Sequence, residues 1–470
     1  MLRPPVQHSA ASNPAGPVGR QVEALIAHSI DAPVLASVVE LQAAADAADT
    51  LERLDETDAV GVLSIMNDQA AADALVEMEP HLAASILQDL VSEDRADELA
   101  SMVQLLAPDD AVGLLRHLSA VDRDTVLRFA PHRIALQLRD LIGYPSDTAA
   151  GIMTTRYVAL PVHVSIGEAT GIVRSHEVHE DLQYLPVTDD DGCLAGLVSL
   201  RDLLVRPDDT PLTDVMGRKV KAVRADVDDE AVAREFQRHD YTMMPVVDLD
   251  DRLLGVVTVD DVLDLIQSEQ TEDVQRSVGA GAGESVYSGL PEKMRGRLPW
   301  LFISAVLMVP ASLVVLQFDG LIEQVAFLAV LMPMVAALAG NAGHQSLAVT
   351  LRGLALDEVH HERVGGLLVR ELVTGLLSGA LLGCLLLLVV LVLSLWVPGA
   401  TWWVGVVLLV ALTLSMATGS LTGTAVPLLL KRMGADPAQG SCIVLIMITD
   451  ALAFGSLLGF AWLGFSLFHR

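Results

Sequence analysis

The chain has 470 residues, 52% of them apolar, and a formal charge of −30. The length allows two or three domains, and so acidic a surface excludes nucleic-acid binding by counterion release. Three scattered cysteines, Cys193, Cys384 and Cys442, suggest neither a disulfide framework nor a zinc site.

The charge is uneven. From Pro291 onward nine basic and nine acidic residues balance, so the whole deficit lies in the first 290 residues. An acidic half precedes an apolar half, and its like charges repel one another and respond to cations. The opening MLRPPVQHSAASNPAGPVGR has no apolar centre and reads as a disordered leader, residues 1–20, not a signal peptide.

Residues 21–143 read as an acidic, all-helical domain. EPHLAASILQDL, SEDRADELASMVQLL and PDDAVGLLRHL recur about every 12 to 16 residues, each opening with an acid or capping residue. Stacked short helices of this kind build a superhelical solenoid. Acids at helix starts also serve capping and the macrodipole alone.

Residues 144–267 contain a duplication, about 144–207 and 208–267. Met153 aligns with Met216, Pro186 with Pro245, Gly196 with Gly255, Ser199 with Thr258 and Asp202 with Asp261. Each copy has short β-branched strands, an acidic turn and a closing helix. The arrangement closely resembles a tandem pair of cystathionine-β-synthase (CBS) domains, which are α/β regulatory modules. In that family the last strand-to-helix turn, G-x-x-S/T-x-x-D, contacts the ribose and phosphate of adenine nucleotides. The resemblance implies ATP or AMP as ligand, with Ser199, Asp202, Thr258 and Asp261 as contacts; the competing reading is that hydroxyl and carboxylate merely cap the helix.

An amphipathic connecting helix is expected over 261–285, followed by a flexible linker, 286–297, ending in Lys293, Arg295 and Arg297. Residues 298–470 form a transmembrane domain with five apolar spans, roughly Leu298–Phe318, Val325–Leu351, Val364–Val397, Trp402–Leu430 and Ser441–Phe468. Lys and Arg precede the first span, flank the loop between spans two and three and follow span four, whereas FDGLIEQ and PGAT have none. The positive-inside rule puts the amino-terminal half in the cytoplasm and the carboxyl terminus outside. Trp300, Trp402 and Trp403 stand at span ends as interface anchors in membrane lipid. Pro333 and Pro427 interrupt spans two and four, freeing carbonyls that suit hard cations.

The last span holds one formal charge, Asp450, about nine residues or roughly 14 Å of rise from its start. Near the bilayer midplane such a carboxylate needs protein, water or an ion.

NAGHQSLAVTLRG at the end of span two, AVPLLLKRMGADPAQGS between spans four and five, and Asp450 in span five follow the acidic helical domain, the CBS pair and the connecting helix. In that order and spacing they resemble the MgtE family of magnesium channels, over essentially the whole chain beyond residue 20. The resemblance implies a homodimer whose ion pathway lies between helices two and five, with Asp450 at the selective site and Asn341, His344 and Pro427 as pore-lining candidates. It implies Mg2+ as both substrate and regulator, closing a gate through acids at Glu93, Asp97, Asp228, Glu230, Asp240, Asp261, Asp264, Glu269, Glu272 and Asp273. It places the protein in the plasma membrane as a multi-pass channel, not an enzyme. The spans indeed lack a Ser/His nucleophile pair and a His-Glu zinc motif.

Three stretches depart from the family pattern. Ile446 and Met447 replace two Thr before the pore aspartate, His344 replaces a small polar residue, and SHEVHEDLQYLPV replaces an aromatic-rich stretch in the first CBS copy. The alternatives carried forward are a cobalt or manganese transporter and a membrane-anchored adenine-nucleotide sensor.

Overall fold

The computed structural model describes residues 32–175, 183–356, 358–397 and 400–468. The expected leader and most of the atypical SHEVHEDLQYLPV stretch lie outside the described residues. The chain divides after Glu269 into two units, each taken by itself.

The first unit begins with nine short helices among the described residues, from Ala32–Val39 to His132–Ile142. Most pack on their next-but-one neighbour, which makes the expected solenoid. Its internal rule is a twelve-residue repeat: Val39, Leu51, Leu63, Leu75, Leu87 and Leu99 recur at that spacing and are buried to 1% or less. The acids serve the same repeat. Glu40 accepts the Asn67 backbone N–H at 2.5 Å and Glu52 accepts that of Glu79 at 2.6 Å, so carboxylates satisfy amides that a helix start leaves free. Arg116 donates to the Gly151 carbonyl at 3.2 Å and the Tyr144 carbonyl at 3.0 Å, tying this layer to the next.

The duplication folds as two three-stranded sheets with one design. In the first, β1 (Leu160–Pro161) is parallel to β2 (Tyr184–Thr188), which is antiparallel to β3 (Leu194–Ser199). In the second, β4 (Val223–Arg224), β5 (Met243–Val247) and β6 (Leu253–Thr258) repeat that order, with Met243 opposite Thr258 as Tyr184 is opposite Ser199. The aligned Met and Gly residues meet across the copies. A Cβ on Gly255 would lie 2.7 Å from Sδ of Met153, and one on Gly196 would lie 3.0 Å from Sδ of Met216. Each copy's leading methionine thus needs the glycine of the other's last strand. The acidic turns are local: Asp189 accepts from the Asp191 and Cys193 amides, and Asp248 from those of Asp250 and Arg252.

The connecting helix runs Val259–Ser277 and ends short of residue 285. Gly279 and Gly283 adopt left-handed backbone, with φ of +77° and +68°, where a helix cannot continue. The next helix starts at Leu290, inside the expected linker, because Pro291 is well suited to a first helical turn. Between them the stretch is a packed turn. Gln275 donates to the Glu284 carbonyl at 2.7 Å, Lys293 to that of Val286 at 2.6 Å, and Glu284 pairs with Arg297.

Among its described residues the second unit has five helices long and apolar enough to cross a membrane: Leu290–Leu316, Phe327–Ala355, Val364–Leu393, Trp402–Arg432 and Ser441–Leu467. The fourth is the most enclosed, and small residues let it sit there. Gly375, Gly379 and Gly383 of span three lie against Ala417, Thr413 and Leu409; Gly419 and Gly423 of span four lie against the Ala339 and Gly343 carbonyls of span two. Both spans two and four remain single helices through Pro333 and Pro427. Two of the three expected interface tryptophans pack inward: Trp403 is buried, and Trp300 lies against Gly279 and Gly440, whereas Trp402 is exposed.

Candidate ion site and regulatory carboxylates

Asp450 is half-buried on the last span and makes no hydrogen bond or ion pair among the described residues. Its neighbours offer little. Thr449, the adjacent hydroxyl, is buried and donates back to the Leu445 carbonyl at 2.9 Å, while Ile446 and Met447 are apolar and half-buried. Of the pore-lining candidates, Asn341 is on an exposed face, Pro427 is buried in the bundle, and His344 bridges spans two and five. The membrane unit holds a second acid, not among the candidates read from the sequence. Glu371 of span three accepts the Ser346 hydroxyl of span two at 2.6 Å. Its signal in the sequence is a Glu inside an apolar run.

The regulatory acids assemble differently from the sequence expectation. Thr258 donates to Asp261, which begins the connecting helix. Burial first, then the Asp109 carboxylate, pushes Asp261 up to about 8, with Asp260 and Asp110 adding repulsion. Asp109 is itself raised by burial, and its Oδ1 is buried without a hydrogen-bond partner. Glu77 of the helical domain is raised by burial and then by Asp264, further along the connecting helix. The helical domain therefore meets the second CBS copy through Asp109, Asp110 and Glu77, none of which the sequence singled out. Glu93 pairs instead with Arg95 at 3.3 Å, and Asp97 lies in the first turn of its own helix.

Three expected acids in the second copy have local partners or roles. Asp228 caps a helix through the Ala231 amide, Glu230 pairs with Arg234 at 3.1 Å, and Asp240 ends the same helix in left-handed backbone. Glu272 pairs with Arg276, which also reaches Asp436 at 3.3 Å in the loop before span five. Glu269 and Asp273 each engage a partner. Among the described residues no three His, Cys, Asp or Glu side chains are arranged to hold a metal ion.

The two nucleotide motifs also diverge. Ser199 donates to Asp202 at 2.6 Å and accepts its amide, and the turn borders a cavity of about 770 Å³ lined by Gln183, Tyr184, Arg201 and Arg206. The equivalent Thr258–Asp261 turn faces the acids of the helical domain.

Family models match in the order the sequence implied. A model described as divalent cation transporter, MgtE, covers residues 332–460, the MgtE intracellular N domain covers 42–147, and CBS domains cover 149–208 and 212–268. Magnesium transporter MgtE of Enterococcus faecalis is 32% identical over 67% of this chain and 68% of its own length. That of Thermus thermophilus is 32% identical over 75% and 76%.

The chain belongs to the MgtE family.

MgtE of Bacillus subtilis is 33% identical over 68% of this chain and 69% of its own. Among solved structures, the cytosolic domain of the Mg2+ channel MgtE in complex with ATP is 31% identical, over 53% of this chain and 99% of that one, with a TM-score of 0.48. MgtE proteins are magnesium transporters, and this member is a multi-pass membrane protein with a helical N domain and a CBS pair.

Proposed function

We propose that this chain conducts Mg2+ into the cell as a plasma-membrane homodimer, with the pathway between spans two and five and Asp450 at its selective site. Asp450 carries the reading: a half-buried carboxylate without a partner among the described residues, in a span of mean hydropathy 2.1. A two-fold axis sets two such carboxylates against one divalent ion. Mg2+ sheds water reluctantly, so the carboxylates meet a hydrated ion and few protein ligands are needed.

Cytosolic Mg2+ closes the gate in the same reading. Asp109, Asp110, Asp260 and Asp261 repel one another where the helical domain meets the second CBS copy, and Glu77 and Asp264 add to it. A divalent cation relieves that repulsion and favours the docked state, and the helix Val259–Ser277 that starts at this junction continues in sequence past Glu269 into the second unit. The amino-terminal domains lie in the cytoplasm and the carboxyl terminus outside.

The test is Mg2+ uptake by proteoliposomes. Asp450→Ala abolishes flux while the protein still elutes as a dimer; unchanged flux refutes the pore assignment. Competition by Co2+ and Mn2+ separates a magnesium-selective pathway from a general divalent one.

The cavity beside Ser199 and Asp202 supports an adenine nucleotide at the first CBS copy, with Arg206 near the phosphates. Calorimetric ATP binding that falls at least tenfold in Asp202→Ala supports this; equal binding by both proteins rejects it.

A further inference from the structure

Spans two and five touch through an imidazole and a thiol. His344 Nδ1 lies 2.7 Å from the Gly340 carbonyl of its own helix, and Nε2 lies 2.9 Å from Sγ of Cys442, in the first turn of span five. A carbonyl only accepts, so Nδ1 carries the ring proton and Nε2 turns its lone pair to the sulfur, which donates its S–H. A ring whose Nδ1–H is fixed by a backbone carbonyl, leaving Nε2 as the acceptor, is how a metal-binding histidine is oriented. Leu347, Leu351, Leu445 and Ile446 pack around Cys442, and Gly343 lets the helices approach, since a Cβ there would lie 2.6 Å from Leu445.

We propose that His344 and Cys442 form a binding site for a borderline-soft divalent cation, zinc or cadmium, separate from the hard-cation site at Asp450. Sulfur and imidazole donors select such ions, whereas Mg2+ prefers carboxylate and water. On binding, the Cys442 S–H bond breaks, a metal–sulfur bond forms and the proton leaves to solvent; Nε2 gives its lone pair and water fills the remaining positions. Zn–S and Zn–N bonds of about 2.3 and 2.0 Å at a tetrahedral angle set the two donors about 3.5 Å apart. The pair opens from 2.9 Å to that separation by side-chain adjustment. The bound ion then cross-links the two helices proposed to line the pathway and stops flux. The block rests on the transport reading; the coordination does not.

The full chain carrying Cys193→Ser and Cys384→Ser keeps a single thiol. Titrated with Cd2+ in detergent, it develops the ultraviolet cadmium–thiolate band at one ion per chain. Equimolar Zn2+ displaces the band and millimolar Mg2+ does not, a comparison that needs no further variant. His344→Asn weakens Cd2+ binding at least tenfold and Cys442→Ser removes the band. In proteoliposomes Cd2+ suppresses Mg2+ uptake, and both variants, each read against its own metal-free rate, need at least tenfold more Cd2+. No band, displacement by Mg2+, or equal Cd2+ affinity in His344→Asn overturns the site. Binding without suppression of flux overturns the cross-link. A parent protein that carries no Mg2+ even without Cd2+ counts against the transport reading, while the band still decides the site.

Discussion

Replacing Asp261 by Asn removes a strongly perturbed charge of the first unit. Its carboxyl sits at about 8 in the fold against an ordinary 3.8. A raised acid binds a proton in the folded state that the unfolded chain has released, so its unfavourable effect is absent below about pH 4 and complete above pH 8. At about 1.36 kcal/mol per unit, the change between pH 5 and pH 8 is on the order of 4 kcal/mol. Undocking of the helical domain relieves the repulsion and makes this an upper bound. Asp261→Asn keeps an acceptor for the Thr258 hydroxyl and loses the charge. In scanning calorimetry of the full chain in detergent with a chelator, the variant's gain in Tm at pH 8 exceeds its gain at pH 5 by about 5–10 °C. Millimolar Mg2+ raises the parent's Tm at pH 8 and narrows its gap to the variant. A gain that is equal at both pH values, or a loss at pH 8, would falsify the repulsive junction.

Three further outcomes follow from packing. Gly423→Leu drives span four off span two, because its Cβ would meet the Gly343 backbone; a cost of at least about 1–3 kcal/mol should show as lost monodispersity in detergent, while Gly365→Leu, with open space around it, should behave as the parent. Arg116→Ala removes two charge-assisted hydrogen bonds, about 3–6 kcal/mol together, and exposes residues 143–153 to limited proteolysis; unchanged cleavage would show that the tie is dispensable. Gly255→Val forces Met153 and the Thr154 carbonyl aside and lowers the Tm of the first unit by several degrees, and pairing it with Met153→Ala recovers only the part owed to the side chain.

Much of this protein is written in local pattern. Span length and apolarity give five membrane helices because a helix in lipid must satisfy its own backbone and cover itself with apolar side chains. The duplication is legible because aligned residues have the same local jobs, as Ser199 and Thr258 do at their strand-to-helix turns. Asp450 stands out since one charge in a long apolar run is visible without knowing any neighbour. The twelve-residue leucine repeat was also there, although helix boundaries blurred it into a looser spacing.

Tertiary structure alone decided which acids meet. Asp109 and Glu93 look alike in the chain: each lies at a helix end among polar residues. Folding turns Asp109 toward Asp261, more than 150 positions away, and gives Glu93 to Arg95 two residues on. A helix start announces its own cap but not which distant surface it faces, since packing of the next-but-one helix sets that direction. The stretch after the connecting helix shows the same limit, because its glycines signal freedom in isolation, yet Gly279 is a bend held against Trp300. His344 and Cys442, 98 residues apart, become a pair only because Gly343 and Gly419 let spans two, four and five pack closely. The sequence by itself determined the elements, their order and the charge in the membrane. The approach of helices across small residues decided which of those side chains act together.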